Sequence, residues 1–211
     1  MKIEKFTFGP FQENTYVLYD DTKECVIVDP GCYSATEQIE MADFILKNGL
    51  KAVLLLNTHC HIDHVNGNLF VFEKFGLKPI IHRLDLPVLA SQEQASMMYG
   101  LPFEKSPEPE KFIEEGDKIK FGKTVLDVLF TPGHCPGHVT FYHKESGTIV
   151  SGDVLFYNSI GRTDLPGGDH ATLIRSVKTK LFPLGDDVKV YCGHGPETTI
   201  GFERRTNPFL V

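Results

Sequence analysis

Three histidines and one aspartate fall within six positions of the chain, as His59, His61, Asp63 and His64. The apolar residues 52–56 come before them and predict a buried strand that ends just before the motif. Side chains two apart in an extended turn point the same way, so His59 and His61 are predicted to converge on one point. Asp63 and His64 come one step later and are predicted to face a second point nearby. Imidazole and carboxylate suit zinc, iron or manganese, so the motif predicts a metal site. The alternative is a polar turn with satisfied histidines.

Three more polar residues each follow a predicted strand: His134, Asp153 and His194. In α/β proteins, the loops beyond the carboxyl ends of strands are where sites assemble. Each of the three has a glycine next to it or one residue away, which lets the backbone turn sharply and come close to a ligand. Alone, each would more often be a turn residue. Together with the first motif they supply five histidines and two aspartates.

Strands and helices are predicted from hydrophobic period, capping residues and turn residues. Strands are predicted over residues 2–8, 14–19, 25–28, 52–56, 79–82, 118–121, 124–130, 139–143, 148–151 and 188–191. Helices are predicted from Ser34 to Gly49, from Asn66 to Gly76, and from Asp169 through Leu181. The order of these elements indicates two similar α/β halves, each a sheet with helices outside.

Residues 83–117 interrupt this order. Asp85 is predicted to cap a helix over residues 86–98, and three later prolines prevent regular structure in the stretch that follows. We interpret residues 83–117 as an excursion at the edge of the domain that covers the site. The alternative is an inert surface connection.

The composition of the chain excludes several classes of protein. Its 211 residues suffice for one well-packed domain. Lysine and arginine number 21 and aspartate and glutamate 28, and the net charge of −7 argues against a protein that works mainly by binding nucleic acid. No apolar run approaches the roughly 20 residues of a membrane helix, and the N-terminus does not read as a signal peptide. The five cysteines are widely spaced and odd in number, so a reducing cytoplasm is expected rather than a disulfide framework.

The polar residues that follow predicted strands match a known order of motifs. Asp29, the run from His59 to His64, His134, Asp153 and His194 resemble, in that order, the five motifs of the metallo-β-lactamase superfamily. Within it, residues 152–164 and 193–210 are similar to the compact, bacterial glyoxalase II-like hydrolases. The resemblance implies an α/β fold, a four-layer αββα sandwich with the metal site at one edge. It also implies a single domain over residues 1–211.

The same resemblance implies which residues hold metal. One ion would take His59, His61 and His134, a second would take Asp63, His64 and His194, and Asp153 would bridge the two. Asp29 would orient the metal loop; its alternative role is that of a turn residue before Pro30. The implied cofactors are two divalent metal ions, zinc first, with iron or manganese as alternatives.

Other cysteines and histidines near these motifs are not expected to be ligands. Cys60 alternates away from His59 and His61. Cys135 and Cys192 are interpreted as small buried side chains. The strand that follows His138 is expected to carry that histidine away from the metals.

Two metals a few ångströms apart lower the pKa of a shared water from ~15.7 toward ~7. The resulting bridging hydroxide would attack an acyl carbonyl, and Asp63 would orient it. A small-molecule thioester fits, because its thiolate leaves readily, and the resemblance implies an acylated thiol such as S-lactoylglutathione. Arg162 falls near the position of a lysine that contacts glutathione in glyoxalase II, so the resemblance implies that it contacts a substrate carboxylate. The alternative is a surface arginine paired with Asp164, and Tyr157 is a second candidate contact. A thiol other than glutathione stays an alternative.

Three other functions remain as alternatives within the resemblance. A mononuclear iron persulfide dioxygenase would bind one iron with His59, His134 and Asp153, although residues 192–196 favour the hydrolase. A phosphodiesterase acting on nucleic acid is disfavoured by the acidic charge, and a β-lactamase by the absence of an export signal. The oligomeric state does not follow from the sequence.

Overall fold

Two six-stranded sheets form the centre of the computed structural model, which describes residues 1–211. The first sheet has the spatial order β1 (Lys2–Phe8), β2 (Glu13–Tyr19), β3 (Glu24–Val28), β4 (Lys51–Leu56), β5 (Pro79–Ile81) and β6 (Lys111–Phe112). The second has the order β14 (Thr198–Thr199), β13 (Lys189–Cys192), β10 (Thr148–Gly152), β9 (Val139–His143), β8 (Thr124–Phe130) and β7 (Lys118–Phe121). A separate small hairpin joins β11 (Leu155–Phe156) to β12 (Ser159–Ile160).

Helices cover the outer faces of the sheets, and short helices also form parts of the segments that follow strands. They are α1 (Ala35–Lys47), α2 (Ile62–Val65), α3 (Asn68–Phe75), α4 (Leu86–Ala90), α5 (Gln92–Tyr99), α6 (His170–Ser176) and α7 (Ile200–Thr206), and a π-helical turn at Val177–Leu181 continues α6. The predicted capping box begins α1, because the Ser34 side chain accepts from Glu37 N–H while the Glu37 carboxylate accepts from Ser34 N–H. None of the helices combines the length and apolar character needed to cross a membrane.

Three buried apolar clusters separate four layers. In β4, Leu55 packs toward α1 and α3, whereas its neighbour Leu56 packs between the two sheets. In β10, Val150 also lies between the sheets, and Ile149 packs with Leu173 of α6. Adjacent residues of one strand thus serve different cores, as the two-residue period of a strand requires. The predicted αββα sandwich is confirmed.

The strands that precede the candidate ligands end at one edge of the sandwich. The pair β3 and β4 is parallel, and so is the pair β10 and β13. Strand β8 runs in the same direction as β10, since both are antiparallel to β9. Parallel strands present their carboxyl ends together, so the loops that carry Asp29, His59, His134, Asp153 and His194 gather at this edge.

Buried polar side chains join the two sheets at the same edge. Asn14 of β2 donates from Nδ2 to the carbonyl oxygens of Cys192 (3.0 Å) and Gly195 (2.8 Å), at the end of β13. The Tyr16 hydroxyl, also on β2, donates to the Cys192 carbonyl at 2.6 Å. These contacts supply hydrogen-bond donors to backbone carbonyls at the end of β13 and just after it, and they fix the loop that carries His194.

The structure differs from the sequence-based prediction at several elements. Asp85 does not cap a helix with its side chain, because its carboxylate points inward; the predicted helix over 86–98 is two helices, α4 and α5. The predicted helix from Asn66 is shorter and follows a separate turn, α2. Short elements that carry little periodicity were missed, namely β6, β11, β12, β14 and α7.

Replacing Tyr16 by phenylalanine removes the hydroxyl that joins the sheets and leaves the buried Cys192 carbonyl with one partner fewer. The free energy of unfolding should fall by about 1 kcal/mol, measured by urea denaturation. Tyr19→Phe is the matched control, because its hydroxyl makes no hydrogen bond within the protein. Equal losses in the two variants would contradict this role of Tyr16.

Candidate metal centre

The histidine motif leaves β4 in a turn that Asp29 holds from the neighbouring strand. One oxygen of Asp29 accepts from Thr58 N–H at 2.7 Å, and the other accepts from the Thr58 hydroxyl and from Nδ1 of His64 at 3.1 Å. Asp29 itself has a φ of +50°, an uncommon conformation that aspartate tolerates. Its side chain therefore reaches across from the end of β3 and sets the path of the loop from Thr58 to His64. The helical turn α2 then carries Asp63 and His64.

The first group of side chains at this edge is His59, His61 and His134. Nε2 of His134 lies 2.8 Å from Nδ1 of His61 and 3.2 Å from Nε2 of His59. His134 comes from the loop after β8 in the second sheet, and the other two come from the loop after β4 in the first. The two sheets thus each contribute to one cluster of ring nitrogens.

The second group is Asp63, His64 and His194, and Asp153 lies between the two groups. Nε2 of His194 lies 3.2 Å from Oδ2 of Asp63. Oδ2 of Asp153 lies 3.4 Å from Nε2 of His194 and 3.5 Å from Nε2 of His134, while its Oδ1 lies 3.4 Å from Nε2 of His64. One carboxylate therefore faces a histidine of the first group and two of the second.

Hydrogen-bond acceptors outside the centre fix the tautomers of four histidines. Nδ1 of His134 faces the Arg162 carbonyl at 2.7 Å, and Nδ1 of His194 faces the Phe11 carbonyl at 3.0 Å. A carbonyl only accepts, so both Nδ1 atoms carry the hydrogen and both Nε2 atoms carry a lone pair in the neutral ring. The same reasoning applies to His64 against Asp29, and to His59 against Thr58, whose hydroxyl hydrogen is given to Asp29. These lone pairs point into the centre.

The arrangement of these atoms fits metal ions. Four ligands about 2.0–2.1 Å from a tetrahedral zinc lie about 3.3 Å apart, close to the separations found within the two groups. Nε2 of His64 and Oδ1 of Asp153 are buried and have no hydrogen-bond partner in the protein. Nitrogen lone pairs that face each other within hydrogen-bond distance, and buried polar atoms without partners, are both costly unless a cation lies between them. The third group that converges, Asp29 with His59 and His64, is held by hydrogen bonds instead.

The electrostatics of the centre divide the histidines into two kinds. Burial lowers the pKa of His59 well below its usual value and that of His61 to about 3, so both rings are neutral. Burial acts in the same direction on His194, but hydrogen bonds to Asp153 and Asp63 raise its pKa to about 10. The carboxylates thus favour positive charge beside His194, which a divalent ion supplies more strongly than a proton does.

Asp85, at the start of the excursion over residues 83–117, supports both ligand loops from behind. Its fully buried carboxylate accepts from Cys60 N–H at 2.8 Å and from Gly137 N–H at 2.6 Å, and the Cys135 thiol donates to it at 3.1 Å. Burial raises the pKa of Asp85 to about 6. Cys60 and Cys135 are the residues next to His59 and His134, so one side chain fixes the loops of both sheets. The residue types did not reveal this, since an aspartate before an apolar run resembles a helix cap.

His138 lies beside the centre, and the expectation that the following strand carries it away was wrong. Its ring stacks on that of His59 with centroids 5.0 Å apart, and its Nε2 accepts from Asp153 N–H at 3.0 Å. The strand β9 starts one residue later, so His138 still belongs to the loop after β8. Gly152, with a φ of +51°, passes so close that a Cβ there would collide with His138 and Thr58.

Glu13 is a further buried acid that the sequence analysis did not select. It lies on β2, has no exposed surface, and accepts from the Thr15 hydroxyl with Oε2 at 2.8 Å. Its Oε1 has no hydrogen-bond partner and lies 3.9 Å from Nδ1 of His64. Desolvation by burial raises the pKa of Glu13 well above its usual value.

The two candidate substrate contacts lie in different places. The Arg162 guanidinium is exposed and donates from Nε and Nη2 to both oxygens of Asp164, each at 2.7 Å, which is the surface pair that the sequence analysis gave as the alternative. Its backbone carbonyl, not its side chain, contacts His134. The Tyr157 ring stacks on Phe202 of α7 with centroids 5.1 Å apart and lines a shallow depression that contains none of the histidines.

Comparison with known proteins identifies the family. A family model described as the metallo-beta-lactamase superfamily matches residues 8–194. The chain belongs to the metallo-β-lactamase superfamily. It is 39% identical over 214 residues to hydroxyacylglutathione hydrolase GloC of Haemophilus influenzae, covering 100% of this chain and 98% of that protein. It is 34% identical to human mitochondrial persulfide dioxygenase ETHE1, covering 93% of this chain and 71% of that protein.

Solved structures of superfamily members are similar over the whole chain. A structure of TTHA1623 in a di-iron-bound form has a TM-score of 0.89 and 40% identity, and covers 98% of this chain and 100% of that chain. The structure of BLEG-1, described as a B3 metallo-beta-lactamase, has a TM-score of 0.90 and 36% identity, with both chains fully covered. The recognition of the superfamily from its five motifs is confirmed, whereas these relatives differ in the activities that their names state.

Replacing Asp85 by asparagine keeps its size but turns one acceptor oxygen into an amide donor that must face a buried N–H group. The free energy of unfolding should fall by about 1–3 kcal/mol, measured by urea denaturation. Asp117→Asn is the matched control, because Asp117 is exposed and accepts from only one N–H, that of Glu114. The role of Asp85 as the support of both loops is wrong if the two variants are equally stable.

Proposed function

We propose that this chain, as a single hydrolase domain over residues 1–211, uses two divalent metal ions to hydrolyse a small-molecule thioester such as S-lactoylglutathione. The observation that supports this most is the position of the Asp153 carboxylate between two groups of three ligand-type side chains. A site for a single ion needs only one such group. The net charge of −7 argues against a nucleic acid as substrate.

In this proposal each metal ion is held by one group. His59, His61 and His134 would hold the first, Asp63, His64 and His194 would hold the second, and Asp153 would serve both. When bound, two metal ions lower the pKa of a shared water toward about 7 and supply a nucleophile at neutral pH. We propose zinc, with iron or manganese as alternatives; the relative in a di-iron-bound form supports a pair of ions rather than a particular element.

The partly exposed side chains of the centre are placed to orient a water molecule. The side chains of Asp63 and His194 are 19% and 26% exposed, whereas those of His59 and His64 are buried. Oδ2 of Asp63 faces His194, so its other oxygen is free to accept a hydrogen bond from water at the opening. We therefore assign to Asp63 the role of orienting the attacking water.

A thioester is the acyl substrate that this centre suits best. A thiol has a pKa of about 8.5, so a thiolate leaves without first receiving a proton. The side chains around the opening need then supply only orientation and the exclusion of other water. The Haemophilus influenzae relative, 39% identical over its full length, is named as a hydroxyacylglutathione hydrolase, which supports the same class of substrate.

A mononuclear iron persulfide dioxygenase is the second candidate, because human ETHE1 is 34% identical. The three side chains that it would use, His59, His134 and Asp153, do lie together. That function would leave the group of Asp63, His64 and His194 without a metal ion to bind, although Nε2 of His64 is buried and has no hydrogen-bond partner. The second group therefore favours the hydrolase.

His61→Ala removes one ligand of the first group while leaving the hydrophobic core intact. Hydrolysis of S-lactoylglutathione should fall by more than about 100-fold without loss of the folded circular dichroism spectrum. His170→Ala, at the exposed start of α6, is the control and should keep full activity. Full activity in the His61 variant would refute the assignment of the site.

Three activity assays on the unaltered protein distinguish the proposed hydrolase from its alternatives. Unaltered protein should release free thiol from S-lactoylglutathione, should consume no oxygen with glutathione persulfide, and should leave a chromogenic β-lactam intact. Oxygen uptake without thioester cleavage would transfer the assignment to the dioxygenase, and β-lactam cleavage alone would transfer it to a β-lactamase.

A further inference from the structure

Three segments that are distant in the chain come together beside the metal centre. Phe11 lies in the loop between β1 and β2, Tyr99 is the last residue of α5, and Arg162 follows β12. The rings of Phe11 and Tyr99 pack edge to face, with centroids 5.2 Å apart and an interplanar angle of 80°. Both rings remain partly exposed, at 38% for Phe11 and 41% for Tyr99. We call these three residues the rim.

Two members of the rim are tied to ligand histidines by their own backbone. The Phe11 carbonyl accepts from Nδ1 of His194, in the second group. The Arg162 carbonyl accepts from Nδ1 of His134, in the first group. The side chains of Phe11 and Arg162 therefore start from opposite halves of the metal centre, and Tyr99 comes from the excursion to meet them.

The rim carries little free charge. Asp164 holds the Arg162 guanidinium by two hydrogen bonds, and this pairing raises the pKa of Arg162. A guanidinium paired in this way is a weak receptor for a second carboxylate. The other two members, Phe11 and Tyr99, offer uncharged aromatic rings, which interact with a neighbouring group by apolar packing.

The excursion that carries Tyr99 is fixed at its start. Asp85 hydrogen-bonds to the backbones of both ligand loops, and α4 and α5 follow it with only Ser91 between them. Tyr99 thus lies at the end of a segment whose start is held against the loops that carry His59 and His134, and its own ring is held by its contact with Phe11.

We propose that Tyr99 is a specificity-determining residue, which with Phe11 and Arg162 admits thioesters with a slender acyl group and excludes those with a bulky one. This inference rests on the proposed function, since it concerns how a thioester reaches the same centre. It assigns to the excursion over residues 83–117 a role in substrate selection, beyond its support of the ligand loops.

The test compares kcat/KM for S-acetylglutathione and S-(2-naphthoyl)glutathione. In Tyr99→Ala the value for the naphthoyl ester relative to the acetyl ester should rise about tenfold or more over the unaltered protein. Tyr99→Phe keeps the ring and should keep the ratio within about twofold. Met98→Ala is the matched control, because Met98 is the preceding residue, is 78% exposed and is not part of the rim.

An unchanged ratio in Tyr99→Ala, or an equal rise in Met98→Ala, would overturn the inference. An equal rise in Tyr99→Phe would overturn it as well, because the hydroxyl rather than the ring would then select the substrate.

A binding measurement tests the rim even if the unaltered protein cleaves neither ester, in which case the proposed function itself fails. Dissociation constants of acetate and 2-naphthoate, the acids that correspond to the two acyl groups, are read from the absorption of cobalt-loaded protein. Tyr99→Ala should tighten 2-naphthoate about tenfold relative to acetate. No change in this ratio would overturn the rim as a limit on width, independently of any activity.

Discussion

The structure depends on one constraint, which is that the lone pairs of several histidine nitrogens and carboxylate oxygens converge at a buried point. Nε2 of His134 lies 3.2 Å from Nε2 of His59, and Oδ1 of Asp153 is buried without a hydrogen-bond partner. Gathering such atoms away from water costs free energy unless positive charge lies among them. In contrast, the Nδ1 atoms that point away from the centre each have a hydrogen-bond acceptor, in His59, His64, His134 and His194. The protein therefore satisfies the outer side of its centre by itself and leaves the inner side to cations.

The rest of the fold serves this convergence. No single sheet supplies either group: His134, Asp153 and His194 follow strands of the second sheet, and the other ligands follow β4 of the first. The two sheets must then be held in a fixed relation, which the buried contacts of Asn14 and Tyr16 with the loop after β13 provide. Asp29 and Asp85 hold the loops in place in the same way, by accepting hydrogen bonds from backbone N–H groups. Removing such supports costs metal proteins about 10–100-fold in affinity or activity.

Much of this arrangement is predictable from the sequence, and the exceptions share a cause. The apolar patterns of the strands predicted two α/β halves with polar residues at the ends of strands. The four-layer sandwich with the site at one edge followed from the resemblance of the motifs to the superfamily. Asp85, His138 and the Phe11–Tyr99 contact did not, because their roles depend on contacts between segments far apart in the chain. Arg162 shows the converse: its type suggested a carboxylate receptor, but Asp164, two residues away, already pairs with it.

The measurement that tests the central claim most directly is the metal content per chain of protein purified without added metal, determined by elemental mass spectrometry. Two groups of ligands bridged by Asp153 predict about two equivalents, as zinc, iron, manganese or a mixture of them. About one equivalent of iron alone would contradict the two-metal account, because the group of Asp63, His64 and His194 would then have no ion to hold.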